Sequence, residues 1–242
     1  MDEIFFYSLL LLVAFLYASV GHGGASGYLA LMTFFSFAPE NMRTSALILN
    51  ILVSCISFLH YFQAGHFKWT LFCPFAITSI PAAFIGGLIT LDANWYKKIL
   101  ALFLLFSVLR FLGFEKQSSG KIVKQSLVLS LVIGCCIGLF SGMIGIGGGI
   151  MLSPVILLLH WANMKETAAV SALFIFVNSL AGLAGVYTNG LHVSNQIYLL
   201  IAVAFIGGFF GSFVGAKKLD VKWLTYTLAL VLVMASIKLM LI

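Results

Sequence analysis

Gly21-His22-Gly23-Gly24-Ala25 and, 124 residues later, Gly145-Ile146-Gly147-Gly148-Gly149 each interrupt an otherwise apolar run. Outward from these two stretches the chain repeats itself. Ala83-Phe84-Ile85-Gly86-Gly87 recurs unchanged as Ala204-Phe205-Ile206-Gly207-Gly208, and Leu91-Asp92-x-x-Trp95 recurs as Leu219-Asp220-x-x-Trp223. Paired glycine interruptions at corresponding places in two halves of a hydrophobic chain are the sequence mark of a transporter's binding site.

Composition fixes the solvent. The chain is 62% hydrophobic and 8% charged, against about 25% charged in a soluble domain. One soluble core does not hide that much apolar surface, so the solvent is lipid. The first segment follows Met1-Asp2-Glu3 rather than a basic stretch and has no small-residue cleavage site, so it is expected to remain part of the bundle. The net charge of +6 lies at segment ends and in the central linker, which is the positive-inside pattern of basic loops and not a nucleic-acid surface. Cys55, Cys73, Cys135 and Cys136 fall in apolar spans without metal-ligand spacing and are expected to be buried free thiols. Neither a metal nor a cofactor is expected.

Ten apolar segments are expected: 4–20, 28–38, 44–63, 69–90 and 97–113 in the first half, then 123–143, 149–160, 167–187, 196–216 and 222–242. The chain divides into a first transmembrane repeat (1–113), a polar linker (114–124) and a second repeat (125–242). A helical crossing needs about 20 residues. Segments 28–38 and 149–160 are too short, and each follows a glycine cluster, so each reads as a glycine-broken or re-entrant helix. The expected fold is all-α and polytopic, with two homologous halves and about 8 to 10 membrane segments.

If every segment crosses, nine basic residues (Lys68, Arg110, Lys116, Lys121, Lys124, Lys165, Lys217, Lys218 and Lys222) share one side and four (Arg43, Lys97, Lys98 and Lys238) the other. The repeats are then inverted, with the nine cytoplasmic. If the short segments return to their own side, the count is six against seven and the repeats are parallel. The Lys97-Lys98 and Lys217-Lys218 pairs, which follow corresponding segments, favour the parallel arrangement, whereas the charge bias favours inverted repeats, the expected topology.

Several residues read as packing or anchoring groups. Gly134, Gly138 and Gly142, like Gly207, Gly211 and Gly215, recur every fourth residue and form stripes that admit a neighbouring backbone. Trp69, Trp95, Trp161 and Trp223 stand at segment ends and read as interfacial anchors. Pro74, Pro81 and Pro154 interrupt apolar segments.

The distribution of charge narrows the chemistry. All seven carboxylates lie at segment ends or in loops, whereas cation pumps and proton relays place them at membrane depth. A cation carrier is disfavoured. A glycine cluster opening a short helix leaves unpaired N–H groups pointing one way, with the helix dipole behind them. That pair of features makes an anion site; the alternative is that the clusters only permit tight crossing of helices. Here it occurs twice, at Gly23, Gly24, Ala25 and Ser26 and again at Gly147, Gly148 and Gly149. A small oxyanion such as sulfite or a sulfonate suits it. Thr44 and Ser45 pair loosely with Val170 and Ser171, and Asn50 and Asn178 sit deeper in the same spans, where each amide binds substrate or a neighbouring helix. Arg43 reads as a snorkelling interfacial charge. His22, opposite Ile146 in the other cluster, is a candidate for proton coupling. No Ser/His/Asp constellation appears, so no enzyme chemistry is expected.

Gly145-x-Gly147-Gly148-Gly149 with Pro154, the matching Gly21-x-Gly23-Gly24, and Thr44-Ser45 after a short apolar segment resemble the TauE/SafE family along essentially the whole chain. The resemblance implies a multi-pass carrier of small sulfur-containing anions in the bacterial inner membrane, acting as an exporter. It assigns the two glycine clusters and Thr44-Ser45 to the site. The first copy departs from the pattern, with Ala25 for Gly149 and Ala30 for Pro154, and Val170-Ser171 stands for Thr-Ser in the second. The expected partners are a small anion and the bilayer, and a homodimer is compatible with this reading. An anion channel is the alternative, and a scaffold subunit is a third reading.

Overall fold

A computed structural model describes residues 2–113, 122–188, 190, 196–217 and 237. Nine helices run through them: α1 (Asp2–Ser19), α2 (Ala25–Phe34), α3 (Pro39–Gln63), α4 (Trp69–Leu88), α5 (Ala93–Gly113), α6 (Leu127–Ile144), α7 (Gly149–Leu158), α8 (Met164–Thr188) and α9 (Ile197–Lys217). Among the described residues there is no strand. Segment 222–242, apart from Ile237, and most of the polar linker lie outside them. Five helices are long and apolar enough to cross a membrane, namely those of α3, α4, α6, α8 and α9. At 10 residues each, α2 and α7 rise about 15 Å, half of a hydrocarbon core of about 30 Å.

Each short helix doubles back on the helix before it. The ring of Phe6 in α1 lies 4.9 Å from that of Phe35 and 5.4 Å from that of Phe37, both just past α2. The tail of α2 therefore sits at the head of α1. Likewise, the N–H of Val123, ahead of α6, donates to the carbonyl of His160, just past α7, at 2.8 Å.

The two glycine stripes are seams between helices. Gly134, Gly138 and Gly142 of α6 lie against the main chain of Phe75, Ser79 and Ala83 of α4, in that order, so α4 and α6 run in the same direction. Gly207, Gly211 and Gly215 of α9 meet the main chain of Leu11, Phe15 and Ser19 of α1 in the same way. With no side chain between them, two backbones approach closely enough to gain dispersion along their whole contact. The Thr78 hydroxyl crosses the α4–α6 seam to the carbonyl of Leu131 at 2.7 Å.

Helices α3 and α8 cross the middle in opposite directions. At one end Tyr61, near the tail of α3, donates to the carbonyl of Ser19 at 2.8 Å, while Gly21 packs on Ala168 near the head of α8. At the other end Arg43, near the head of α3, reaches Gly87, which abuts Gly182 and Gly185 near the tail of α8.

Some side chains stand elsewhere than the sequence suggests. Cys73, Cys135 and Cys136 are exposed rather than buried, on the apolar outer surface of α4 and α6, and Cys55 is half-buried. All four are free thiols. Trp69 and Trp95 are exposed at helix starts as anchors should be, but Trp161 is buried, with its ring 6.0 Å from Phe75. Its position after α7 brings it under the α4 head instead of out to the headgroups.

Candidate functional site

The two glycine breaks come from different halves of the chain and meet at one side chain. Asn50 sits midway along α3, and its amide oxygen accepts the N–H of Ala25, the first residue of α2, at 3.1 Å. Its amide nitrogen turns to the other break. A methyl group added at Gly147 would lie 2.7 Å from Asn50 Nδ2. Gly23 packs against Asn50 Oδ1. Glycine is required at the two helix starts for conformation as well as space. Gly24 and Gly148, the N-caps of α2 and α7, have φ of 94° and 78°, a region costly for side-chain-bearing residues.

At each break the first N–H groups of the short helix have no intrahelical acceptor. Neither N-cap offers a side chain to receive them. On α2 the amide oxygen of Asn50 takes the N–H of Ala25, leaving those of Ser26 and Gly27 to complete that terminus.

Buried polar atoms without a hydrogen-bond partner gather on the two crossing helices. They include Ser45 Oγ, Asn50 Nδ2 and Ser57 Oγ on α3 and Thr167 Oγ1, Asn178 Oδ1 and Ser179 Oγ on α8. Each such group costs about 1–3 kcal/mol relative to a paired one, and of these Asn50 Nδ2 and Ser179 Oγ lie at the second break. Ser179 Oγ would be 2.9 Å from the same added methyl at Gly147, which puts it within reach of Asn50 across the second break.

His22, on the first break, is buried and reaches across to the second. Its Nδ1 lies 2.8 Å from the carbonyl of Val20, an oxygen that only accepts, so Nδ1 carries a proton. Nε2 faces Ser153 Oγ at 2.9 Å and the carbonyl of Gly149 at 3.3 Å. Ser153 in turn meets Ser171 Oγ at 2.7 Å. A neutral ring accepts at Nε2 from the Ser153 hydroxyl, whereas a protonated ring donates there to Ser153 Oγ or Gly149. The pocket therefore has a partner for either state.

All of the residues singled out in the sequence are buried: Gly23, Gly24, Ala25, Ser26, Thr44, Ser45, Asn50, Gly147, Gly148, Gly149, Ser171, Asn178 and His22. The fold brings Asn50, His22, Ser171 and both clusters together. Ser26 Oγ is engaged with the Tyr17 hydroxyl at 2.7 Å. Thr44 and Ser45 follow Arg43, whose main chain adjoins Gly145, and so stand beside the entry to the second break. Asn178 turns its amide nitrogen back to the Phe174 carbonyl of its own helix at 2.8 Å. Ser179, its neighbour, faces the break instead. An amide in a membrane span draws notice, whereas a serine beside it reads as packing, and only the helix rotation tells them apart.

Arg43 does not snorkel. Its guanidinium donates to the carbonyls of Gly86 and Gly87 at 2.9 Å, of Ile89 at 3.0 Å and of Gly142 at 2.7 Å. These are terminal carbonyls of α4 and α6, the negative ends of two helix dipoles. The charge is compensated there by the helix ends. At the opposite end of the bundle Lys68 pairs with Glu166 at 2.6 Å. A cleft of about 430 Å³ opens at that end between Lys68, Lys124 and Trp161. It shares no lining residue with the two breaks.

A family model described as the sulfite exporter TauE/SafE matches residues 6–239. A probable membrane transporter protein of Sinorhizobium fredii, y4hK, is 35% identical over 233 residues, which is 94% of this chain and 94% of that protein. Another, MJ0441 of Methanocaldococcus jannaschii, is 24% identical over 82% of this chain and 79% of its own length. A third, YunE of Bacillus subtilis, is 31% identical over 114 residues, 46% of this chain and 40% of that protein. No solved structure matches the chain.

Proposed function

The chain belongs to the sulfite exporter TauE/SafE family and is a membrane transporter, and from that premise we propose that it carries a small sulfur-containing oxyanion outward across the bacterial inner membrane. The observation that carries this reading is the meeting of both glycine breaks at Asn50. Two helix starts, an amide nitrogen and a buried hydroxyl present donors to one region that contains no carboxylate. Such a region favours a ligand rich in acceptor oxygens and rejects cations.

The two halves act as inverted repeats. The opposed directions of α3 and α8 support this, as does the return of α2 and α7 toward the starts of α1 and α6. The site then lies near the bilayer midplane, where alternating access exposes it to each side in turn. Candidate ligand-binding residues are Gly23, Gly24, Ala25, Ser26, Thr44, Ser45, Asn50, Gly147, Gly148, Gly149, Ser171 and Asn178. His22 is the coupling group: a proton on Nε2 adds positive charge beside the start of α7, so proton and anion bind with mutual advantage.

Uptake of radiolabelled sulfite and organosulfonates into proteoliposomes tests the reading. Saturable flux that is lost in Gly24→Leu and Gly148→Leu, with both variants folded, supports it. Flux that never saturates means a channel. No flux of any sulfur anion removes the substrate class.

A further inference from the structure

We infer that the side chain of Ile175 occupies the ligand's place between the two breaks, and that Asn50 Nδ2 and Ser179 Oγ are the donors that hold the ligand once α8 carries Ile175 aside. The inference rests on the oxyanion reading above and adds to it the group that sets ligand size.

Glycines report the geometry. A methyl built on Gly147 would lie 2.7 Å from Asn50 Nδ2, 2.7 Å from Ile175 Cγ2 and 2.9 Å from Ser179 Oγ, so one point sees all three. A methyl on Gly23 would lie 2.9 Å from the same Ile175 Cγ2. Gly149 packs against Ile175 Cδ1 and Cγ1. One branched apolar side chain therefore touches both breaks. The two polar atoms beside it have no hydrogen-bond partner, and Asn50 and Ser179 are both 0% exposed.

This arrangement withholds water from two donors and gives them no acceptor in exchange, which is unfavourable. A ligand with two or more acceptor oxygens relieves it, provided Ile175 moves. Isoleucine in a helix keeps essentially one χ1 rotamer, so the side chain does not swing away by itself. It leaves when α8 shifts or turns. Ligand entry is thereby tied to movement of a helix that runs through the core, and the space released is that of one branched side chain, which selects a compact anion.

Two measurements test this. In proteoliposomes, Ile175→Ala should raise the rate for ethanesulfonate relative to sulfite about tenfold, the scale on which an apolar pocket discriminates by size, while the conservative Ile175→Val stays near the parent. Ser179→Ala should raise the KM for sulfite about tenfold, as expected for a lost bond to a charged ligand, with kcat within about twofold. An unchanged size ranking together with an unchanged KM would overturn the proposal and leave the oxyanion reading standing. The second measurement needs no transport. Ile175→Cys, in a background lacking Cys55, Cys73, Cys135 and Cys136, is exposed to a membrane-impermeant anionic thiosulfonate. The introduced thiol should react, and sulfite should slow the reaction. If a folded protein leaves that thiol unreacted, position 175 is not on an aqueous route and the proposal fails even where sulfite is carried. Reaction of the thiol in a protein that carries no sulfur anion supports the displaced side chain and refutes the substrate class.

Discussion

At the scale of single residues, Asn50 does two things that substitution separates. Its oxygen caps α2 and its nitrogen faces the second break. Asn50→Asp keeps an oxygen for the Ala25 N–H and replaces the donor with a second oxygen that repels an oxyanion. Sulfite uptake should fall at least about tenfold, measured as initial rate against concentration. His22 separates in another way. His22→Gln retains hydrogen bonding across the breaks but holds no titrating proton, so the dependence of uptake of a sulfonate, whose own charge is fixed, on an imposed pH gradient should vanish while exchange of labelled for unlabelled sulfonate persists. Arg43 is structural. Arg43→Ala leaves the carbonyls of Gly86, Gly87, Ile89 and Gly142 without their common donor, at a cost of about 2 kcal/mol or more, seen as a lower melting temperature in detergent. Arg43→Lys should recover only part of this, since an ammonium lacks the planar fork. In the sequence alone, a cation at the start of an apolar segment reads as a snorkelling arginine. The pair of helix ends that converge on it is a tertiary feature, which no local pattern records.

At the scale of elements, the glycine seams and the glycine breaks look alike in sequence and differ in what surrounds them. Gly138 and Gly211 pack on the backbones of Ser79 and Phe15, which do not yield. Gly138→Leu or Gly211→Leu should therefore prevent assembly, seen as loss of the folded species on size-exclusion chromatography. Gly65 has nothing within 4 Å and a φ of 76°, so Gly65→Ala should cost only about 1 kcal/mol, the strain of a left-handed residue. Segment boundaries were largely legible because apolar runs end where polar groups begin: the expected 44–63 and 149–160 correspond to α3 and α7. The every-fourth spacing of glycines also identified both seams. The partner of each seam was not legible, because spacing shows that a helix accepts a close neighbour without naming it. The same limit hid Ile175, an ordinary apolar residue whose importance comes from two distant loops brought against it.

At the scale of the molecule, direction follows from contact. Gly65 and Asn163 lie at the end marked by the Lys68–Glu166 pair, and Ser36 and Asp92 at the end marked by Arg43. Single cysteines at Gly65 and Asn163 should react with an impermeant reagent from one side of the membrane, and at Ser36 and Asp92 from the other. Reaction of all four from the same side would exclude inverted repeats. The seams also determine what kind of machine this is. Each joins a helix of the first half to a helix of the second, α1 with α9 and α4 with α6, and a backbone-to-backbone seam resists sliding. Helices locked along a seam move together, so each such unit draws on two separate stretches of the sequence. A chain severed in the linker should give two fragments, each lacking the partner helix of both seams and unable to fold alone, that regain activity when produced together.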